Sequence, residues 1–247
     1  MNILLCNDDG LYSDGILLFA KKLSAEHKVT VVAPERNNSA VSHSLSIFKN
    51  IRVKEEKIDS AFRSFSVSGT PADCVKFAHH NFRSFFPFDV VLSGINKGHN
   101  LGTDTLYSGT VSAAFEGAAL GYKAIAFSCV SHDGEFMEDC ADIACDLLCK
   151  LYPHLTEDFI FNVNIPARKK EEIAGVKLTP LGKQIYSDNY EALSDGEFAL
   201  TGEMLAHGEN DSDCDVELSR AGFVTVTPMI CDRTAYGVLN ALKDIVL

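Results

Sequence analysis

The sequence predicts an α/β protein built on a doubly wound, mostly parallel sheet, and three observations predict it. Short aliphatic and β-branched runs alternate with amphipathic stretches of helical spacing. Polar loops containing Gly, Asn and Asp follow most of the predicted strands. The 247 residues are 46% hydrophobic, which is enough to bury a full core. We therefore expect a Rossmann-like core with helices on both faces of the sheet.

The core elements are expected over residues 1–165 in alternating order. The apolar runs predict strands at residues 3–6, 28–33, 45–53, 65–68, 90–93, 124–129 and 159–163. Between them, apolar spacing predicts helices over 16–23, 71–82, 109–121 and 139–151. The second helix has the clearest start, since Thr70 can cap it, Pro71 fits its first position and Asp73 can close a capping box.

Residues 166–247 have a different character and predict a small β-rich C-terminal extension. Strands are expected at 176–179 and 222–227, around an acidic, glycine-bearing stretch at 188–215. Residues 233–246 predict a terminal helix, because Val238, Leu239, Leu242 and Ile245 fall on one stripe. We therefore expect a small extension or arm in this part of the chain.

Composition excludes several classes of partner and predicts a cytoplasmic protein. The 22 basic and 34 acidic side chains give a formal net charge of −12. Nucleic-acid polymers and anionic membranes draw on clustered Lys and Arg, so neither is an expected partner. The start of the sequence does not resemble a signal peptide, and no apolar run is long enough to span a membrane. Eight cysteines without a Cys-x-x-Cys pair predict buried thiols.

Polar residues follow several strands at the edge of the sheet where open α/β proteins bind ligands. Asp8 and Asp9 leave the first strand, Asn37 and Ser39 lie beyond the second, and Asn96 follows the strand at 90–93. Two adjacent carboxylates raise one another's pKa and need a counter-charge. With amide and hydroxyl oxygens beside them, Mg²⁺ or Mn²⁺ suits the set better than zinc does. The alternative is that the Asp pair only forms a turn or caps a helix.

Ser108-Gly109-Thr110 at a helix start could bind phosphate through free N–H groups and the positive end of the helix dipole. An ordinary N-cap serine is the alternative. The chain has no Gly-x-x-x-x-Gly-Lys-Ser/Thr, no Gly-x-Gly-x-x-Gly and no Gly-x-Ser-x-Gly. These absences count against a P-loop NTPase, a dinucleotide oxidoreductase and a serine hydrolase. A bound phosphate would then be a monoester.

Six ordered motifs across the chain resemble the SurE family of stationary-phase survival proteins. They are Asn7-Asp8-Asp9-Gly10, the stretch from Asn38-Ser39-Ala40 to Leu45, Ser68-Gly69-Thr70-Pro71-Ala72-Asp73, Ser93-Gly94-Ile95-Asn96-Lys97-Gly98-His99-Asn100, Tyr107-Ser108-Gly109-Thr110-Val111, and Gly222-Phe223-Val224-Thr225-Val226-Thr227-Pro228.

This resemblance implies a metal-dependent phosphatase of nucleoside 5'- and 3'-monophosphates, with short polyphosphate as a further substrate of some members. It implies one divalent cation per subunit, Mg²⁺ or Mn²⁺. It also implies a homodimer or homotetramer in which the C-terminal segment reaches a partner subunit. The implied metal ligands are Asp8, Asp9, Ser39 and Asn96, of which Asp8 or Asp9 would orient or deprotonate water. The implied phosphate-side residues are Asn37, Ser108, Gly109 and Thr110.

Three other classes also place acidic residues after a first strand or bind the same ligands. A haloacid dehalogenase-type phosphatase needs Asp-x-Asp, whereas Asp8 and Asp9 are adjacent. A receiver domain needs a phosphorylatable Asp after the third core strand, where this chain has Ser93-Gly94-Ile95-Asn96, and is about half as long. A metal-and-nucleotide sensor without catalysis is the third class, and only turnover distinguishes it from an enzyme.

Overall fold

The computed structural model describes residues 1–85, 87–131, 134–205, 210–243 and 245. The strands in that part of the chain are β1 (Asn2–Cys6), β2 (Lys28–Pro34), β3 (Val53–Glu56), β4 (Arg63–Val67), β5 (Val90–Lys97), β6 (Lys123–Val130), β7 (Ile160–Pro166), β8 (Val176–Leu178), β9 (Asn189–Ala192), β10 (Phe198–Thr201) and β11 (Val224–Met229). The α-helices are α1 (Asp14–Leu23), α2 (Pro71–Phe82), α3 (Gly109–Ala119), α4 (Met137–Leu151), α5 (Asp215–Arg220) and α6 (Tyr236–Ala241).

Nine strands form one sheet in the order β3-β4-β2-β1-β5-β6-β7-β11-β8. The six central strands from β4 to β7 run parallel, whereas β3 and β11 pair antiparallel with β4 and β7. The predicted doubly wound, mostly parallel α/β fold is therefore confirmed. From β1 the chain first builds outward to β2 and β4, then crosses back to β5 on the other side. The gap between β1 and β5 is thus the topological switch point, where open sheets of this kind bind ligands.

Helices cover both faces of the sheet because each helix has one apolar stripe to bury. On one face, Ile16 and Phe19 of α1 and Leu148 of α4 join a buried cluster, in which the Phe19 ring meets Phe127 of β6 edge-on. On the other face, α2 and α3 bury a second cluster that includes Val75 of α2 and Val111, Ala113 and Ala114 of α3. The predicted start of α2 is also confirmed, since Thr70 and Asp73 form a reciprocal capping box.

The sheet continues beyond residue 166. Strand β11 pairs with β7 and β8 pairs with β11, so both strands belong to the large sheet. Among the strands that the structure describes, only β9 and β10 form a separate two-stranded antiparallel sheet. The division at residue 165 into a core and an extension stays a prediction, although the sheet itself crosses it. Helix α6 is shorter than the predicted 233–246 helix, and Val246 lies outside the described residues.

Two predictions from the sequence are wrong in detail. The expected strand at 45–53 is mostly loop, and β3 begins only at Val53. The apolar residues that suggested it, Ile47 and Phe48, are 75% and 99% exposed. The cysteines are all free thiols, but only five are buried, and Cys149 and Cys231 are exposed. Within the described part of the chain, no helix is long and apolar enough to cross a lipid bilayer.

Candidate active site

The candidate site lies at the switch point, where β1 and β5 end side by side. Cys6, the last residue of β1, pairs with Ser93 of β5. Asp8 and Asp9 follow β1 directly, and Asn96 lies in β5 just after a register shift between Ser93 and Asn96. The topology therefore brings the predicted acidic pair and the predicted amide ligand to the same edge of the sheet.

Asn7 forms the turn that presents the two carboxylates. Its side-chain oxygen accepts the N–H of Gly10, while its amide NH₂ donates to the Gly10 carbonyl at 3.0 Å and to Ser13 Oγ at 2.8 Å. Gly10 has φ +101°, a conformation that glycine adopts without strain. The N-cap of α1 is Ser13. Asn7 supplies the side-chain hydrogen bonds of this turn, and Ser13 is the N-cap of α1. Asp8 and Asp9 therefore do not cap this helix.

Asp8 is fixed by the start of α3. Its Oδ2 accepts the backbone N–H of Thr110 at 2.9 Å, and its Oδ1 accepts the Thr110 hydroxyl at 2.5 Å. A Cβ on Gly109 would lie 2.7 Å from the Asp8 Cβ, so only glycine allows this approach. The Asp8 side chain is consequently buried, with 4% of its residue surface exposed.

Asp9 points to the other side, toward β5 and the loop after β2. Its Oδ2 accepts the Lys97 backbone N–H at 3.0 Å, and the Asn37 amide approaches its Oδ1 at 3.5 Å. Asp9 is half-buried. One side of the Asp9 carboxylate therefore stays open to a ligand, whereas the Asp8 carboxylate is buried more deeply.

Both carboxyl groups have raised pKa values. Burial is the main cause for Asp8, and the neighbouring Asp9 charge adds to it, whereas the bonds from Thr110 oppose it; the pKa is about 6. Burial also raises the pKa of Asp9, against the lowering effects of the Lys97 N–H and charge. Two carboxylates held together in this way favour a bound cation.

The long loop after β2 is anchored at several points along its length. Asn38 donates its backbone N–H to the Asp8 carbonyl at 2.7 Å. Ser42 donates its N–H to the Tyr107 carbonyl and its hydroxyl to the Leu106 carbonyl. Further along, the Ser46 N–H donates to Asp73 at the start of α2. The loop is thus tied to the acidic turn, to the approach to α3 and to α2.

Two predicted site residues lie together on this loop. Asn37 accepts the Ser39 N–H through its side-chain oxygen at 2.8 Å, and both residues are exposed. The structure places Asn37 beside Asp9 but gives the Ser39 side chain no direct bond to either carboxylate. Asn96 is buried, and its amide NH₂ donates to the Gly98 carbonyl at 3.0 Å, which leaves its oxygen as an acceptor.

The start of α3 differs from the sequence-based expectation in one respect. Ser108 is the N-cap, and its hydroxyl accepts the Val111 N–H at 3.0 Å. Thr110 directs both its N–H and its hydroxyl to Asp8 rather than outward. Sequence reasoning placed Thr110 near phosphate and missed that it holds a carboxylate. No local signal could have shown this, because the two residues are 102 positions apart.

The oxygen donors suit a hard divalent cation. Within the ranges that the structure describes, no three His, Cys, Asp or Glu side chains gather into a metal cluster. A cation at the switch point would therefore combine the two carboxylates with amide and hydroxyl oxygens, the donor types that Mg²⁺ and Mn²⁺ accept. The residues present fit such an ion.

Comparisons with known proteins agree with this fold and with the ordered motifs in the sequence. The family model described as "Survival protein SurE" matches residues 3–188. A protein named 5'-nucleotidase SurE from Petrotoga mobilis is 40% identical over 252 residues, covering 99% of this chain and 98% of the relative. One of the same name from Synechococcus elongatus is 43% identical over 257 residues, covering 99% of each. The crystal structure of the SurE protein from Aquifex aeolicus superposes with a TM-score of 0.84 at 38% identity, covering 98% of each chain.

Fold and site together define an open α/β protein whose polar residues gather at the switch point of a parallel sheet. The chain belongs to the SurE family of survival proteins. The family match also rules against the haloacid dehalogenase and receiver-domain alternatives.

Proposed function

We propose that this protein is a divalent-metal-dependent 5'-nucleotidase, a phosphoric monoester hydrolase that releases phosphate from nucleoside 5'- and 3'-monophosphates. Short polyphosphate is a further candidate substrate. The observation that carries the proposal is the rigidly held pair of carboxylates at the switch point, with a helix start beside it. Two relatives that align over nearly their whole length are named 5'-nucleotidases, which supports the nucleotidase activity.

Asp8, Asp9, Ser39 and Asn96 would hold one Mg²⁺ or Mn²⁺ per subunit. When bound, the ion supplies charge neutralisation at the phosphoryl group and lowers the pKa of water. The protein's contribution is orientation: Thr110 fixes both oxygens of Asp8, and the Lys97 N–H fixes one oxygen of Asp9. Preorganised ligands of this kind avoid reorganisation during the reaction.

Asp9 is the better placed of the two carboxylates to act on the attacking water. Both oxygens of Asp8 already accept bonds from Thr110, whereas Asp9 is half-buried and has only one strong backbone bond. We assign cation binding to both carboxylates, and to Asp9 the further task of orienting the water and accepting its proton.

The phosphate would lie between Asn37 and the start of α3. Ser108 and Gly109 offer the N-terminal end of an eleven-residue helix, where the dipole favours an anion. Asn37 can donate its amide from the opposite side. Thr110 acts through Asp8 in this scheme and is a positioning residue. Charge stabilisation and orientation then supply most of the catalysis, as is usual for phosphoryl transfer.

We also propose a cytoplasmic homodimer or homotetramer. Free thiols at all eight cysteines support a reducing compartment. Exposed apolar side chains on β10 and α6 support contact with another subunit, among them Phe198, Leu200 and Leu239.

The test is phosphate release from a panel of nucleoside 5'- and 3'-monophosphates with Mn²⁺, with Mg²⁺ and with excess EDTA. We expect release that requires metal and that falls at least 100-fold in Asp9→Asn. The matched control is Asp158→Asn, which changes an exposed Asp at the opposite edge of the sheet.

Full activity of Asp9→Asn would overturn the assignment of the carboxylates. No release from any nucleotide with either metal would overturn the nucleotidase proposal and favour a binding protein without catalysis.

A further inference from the structure

Two buried cysteine side chains meet at the end of the sheet that carries the candidate active site. Cys129 lies near the end of β6, and Cys140 lies in the first turn of α4. Both side chains are buried in the apolar cluster that α1 and α4 form with the sheet. The Cys140 thiol donates to the Cys129 sulfur at 2.8 Å. The proposed function gives these two thiols no task.

The two sulfur atoms are within reach of a covalent bond. An S–S bond is about 2.05 Å long, so the sulfurs of Cys129 and Cys140 would need to approach by about 0.8 Å. The two cysteines are 11 positions apart and lie on different elements. Packing of α4 on the sheet therefore creates this pair, whereas a Cys-x-x-Cys motif would create one locally.

The Cys129 backbone is connected to two of the proposed cation ligands. Its carbonyl accepts the Gly98 N–H at 2.9 Å, and the Gly98 carbonyl accepts the Asn96 amide at 3.0 Å. Cys129 also pairs with Lys97 in the sheet, and the Lys97 N–H donates to Asp9 at 3.0 Å. A displacement of Cys129 would therefore reach both Asn96 and Asp9 through short chains of hydrogen bonds.

We propose that Cys129 and Cys140 form an oxidative modification site, at which a hydroperoxide converts the two thiols to a disulfide. The disulfide displaces the end of β6 and weakens cation binding at the candidate site. The site of modification goes beyond the proposed function, and only its effect on the cation rests on that function.

The reaction takes place in two steps. One cysteine sulfur attacks an oxygen of the hydroperoxide, the O–O bond breaks, and a sulfenic acid and an alcohol form, or water where the oxidant is hydrogen peroxide. The second sulfur attacks the sulfenic sulfur, the S–S bond forms and water leaves. The two sulfurs lose two electrons to the peroxide, and the two thiol hydrogens leave in the alcohol and the water.

The surroundings of the pair determine how readily it reacts. The hydrogen bond to Cys129, followed by burial, raises the pKa of the Cys140 thiol well above its ordinary range. Because the thiolate is the nucleophile, the closed structure reacts slowly. We expect oxidation to proceed when the start of α4 opens locally. The neighbouring thiol then traps the sulfenic acid before further oxidation.

The test uses the double variant Cys149→Ser with Cys231→Ser as the background, because these two cysteines are exposed and would react first. The protein is treated with hydrogen peroxide, and its remaining thiols are counted after denaturation. We expect the loss of two thiols, which dithiothreitol reverses. A peptide map without reduction should join Cys129 to Cys140.

Calorimetric titration of Mn²⁺ measures the effect on the candidate site. Groups that hold a metal ligand in place typically contribute about tenfold or more to metal affinity. We therefore expect the oxidised background protein to bind Mn²⁺ about tenfold or more weakly than the reduced protein does. Dithiothreitol should restore the affinity.

Cys140→Ala in the same background removes one partner of the pair. Its thiol count and its Mn²⁺ affinity should not respond to peroxide. The matched control is Cys214→Ala, which removes a buried thiol elsewhere and should leave the oxidation unchanged. Comparison of the oxidised and reduced background protein needs no core substitution, so the test still decides if Cys140→Ala does not fold.

A peptide map that lacks the link between Cys129 and Cys140 overturns the proposal. This includes a map that joins Cys6 to Cys74, two buried cysteines whose side chains also interact. Formation of the expected link with unchanged Mn²⁺ affinity overturns it as well, because the proposal requires both. If the reduced protein binds no Mn²⁺, the proposed cation site is wrong, and the peptide map still decides the modification site.

Discussion

At the residue scale, the site depends on how two neighbouring carboxylates are given different surroundings. Asp8 is buried and has both oxygens bonded to Thr110, whereas Asp9 is half-buried and bonded to the Lys97 N–H. The sequence could show that the pair follows a buried strand, and so where it would lie. It could not show the partners, because Thr110 and Lys97 come from elements about 90 to 100 positions away.

Thr110→Val removes the hydroxyl that holds Asp8 and keeps the shape of the side chain. We expect kcat to fall about tenfold or more, since a charge-assisted hydrogen bond contributes about 1.5–3 kcal/mol, while the protein stays folded. Steady-state kinetics and thermal unfolding measure the two effects. Thr156→Val is the control, because it removes an exposed Thr hydroxyl that also bonds a carboxylate. Unchanged kcat in Thr110→Val would contradict the positioning role.

Gly109→Ala tests the close approach of α3 to Asp8. The new methyl would lie 2.7 Å from the Asp8 Cβ and 2.9 Å from Oδ2, so Asp8 or the helix must shift. We expect activity to fall at least tenfold, because small displacements of reacting groups cost large factors in rate. Gly237→Ala is the comparison, since its added methyl meets no atom within 4 Å. Equal activity of the two variants would show that the approach is not needed.

At the scale of elements, local sequence signals predicted the start of a helix more accurately than they predicted the strand at the edge of the sheet. The capping box at Thr70 and Asp73 is encoded by neighbouring residues, so α2 begins where the sequence indicates. The stretch at 45–53 alternates like a strand, yet Ile47 and Phe48 are exposed and only Val53 joins β4. Strand formation depends on a partner in space, which periodicity does not report.

Glu116 connects three elements. It is buried on α3 and bonds Lys76 of α2 at 2.5 Å and His43 of the long loop at 2.9 Å. Burial alone would raise the pKa of Glu116, but the bonds from His43 and Lys76 outweigh it, and the pKa lies below its ordinary value of 4.5. A lowered pKa means that the ionised form stabilises the fold. This stabilisation is fully present above pH 4.5 and is lost as pH falls through the lower, folded-state value.

Glu116→Gln should therefore reduce the free energy of unfolding by about 1–3 kcal/mol at pH 7. The difference in the free energy of unfolding between Glu116→Gln and the wild-type protein should become smaller as pH falls below 4.5. Urea denaturation at pH 7, 5 and 4 measures both quantities. If the difference in the free energy of unfolding is the same at all three pH values, the charge of Glu116 does not contribute to stability. Glu157→Gln, at an exposed glutamate outside this cluster, is the control.

At the scale of the whole molecule, the sheet continues further along the chain than the sequence indicated. Seven core strands were expected, and β8 and β11 extend the same sheet from the C-terminal third. The pairing of β11 with β7 is antiparallel and spans about 65 residues of sequence, so no local pattern could reveal it. What the sequence did predict is that polar loops follow the strands at the ligand-binding edge of a parallel sheet, and this prediction indicates the place of the candidate site.

The exposed apolar residues of the C-terminal third predict self-association. Leu178, Phe198, Leu200 and Leu239 are each more than half exposed. We expect sedimentation at micromolar concentration to give at least twice the chain mass of 26.9 kDa. Leu200→Lys with Leu239→Lys should shift the protein toward monomer, whereas Phe85→Lys, at an exposed Phe outside this segment, should not. A wild-type monomer at these concentrations would contradict the prediction.

Calorimetric titration of Mn²⁺ into the metal-free protein shows whether Asp8 and Asp9 bind a divalent cation. We expect about one equivalent of Mn²⁺ bound per chain in the wild-type protein and in Asp158→Asn. Asp9→Asn should bind Mn²⁺ at least 100-fold more weakly, with an unfolding temperature close to that of the metal-free wild-type protein. Equal Mn²⁺ affinity in Asp9→Asn and in the wild-type protein would contradict a cation site at this carboxylate pair.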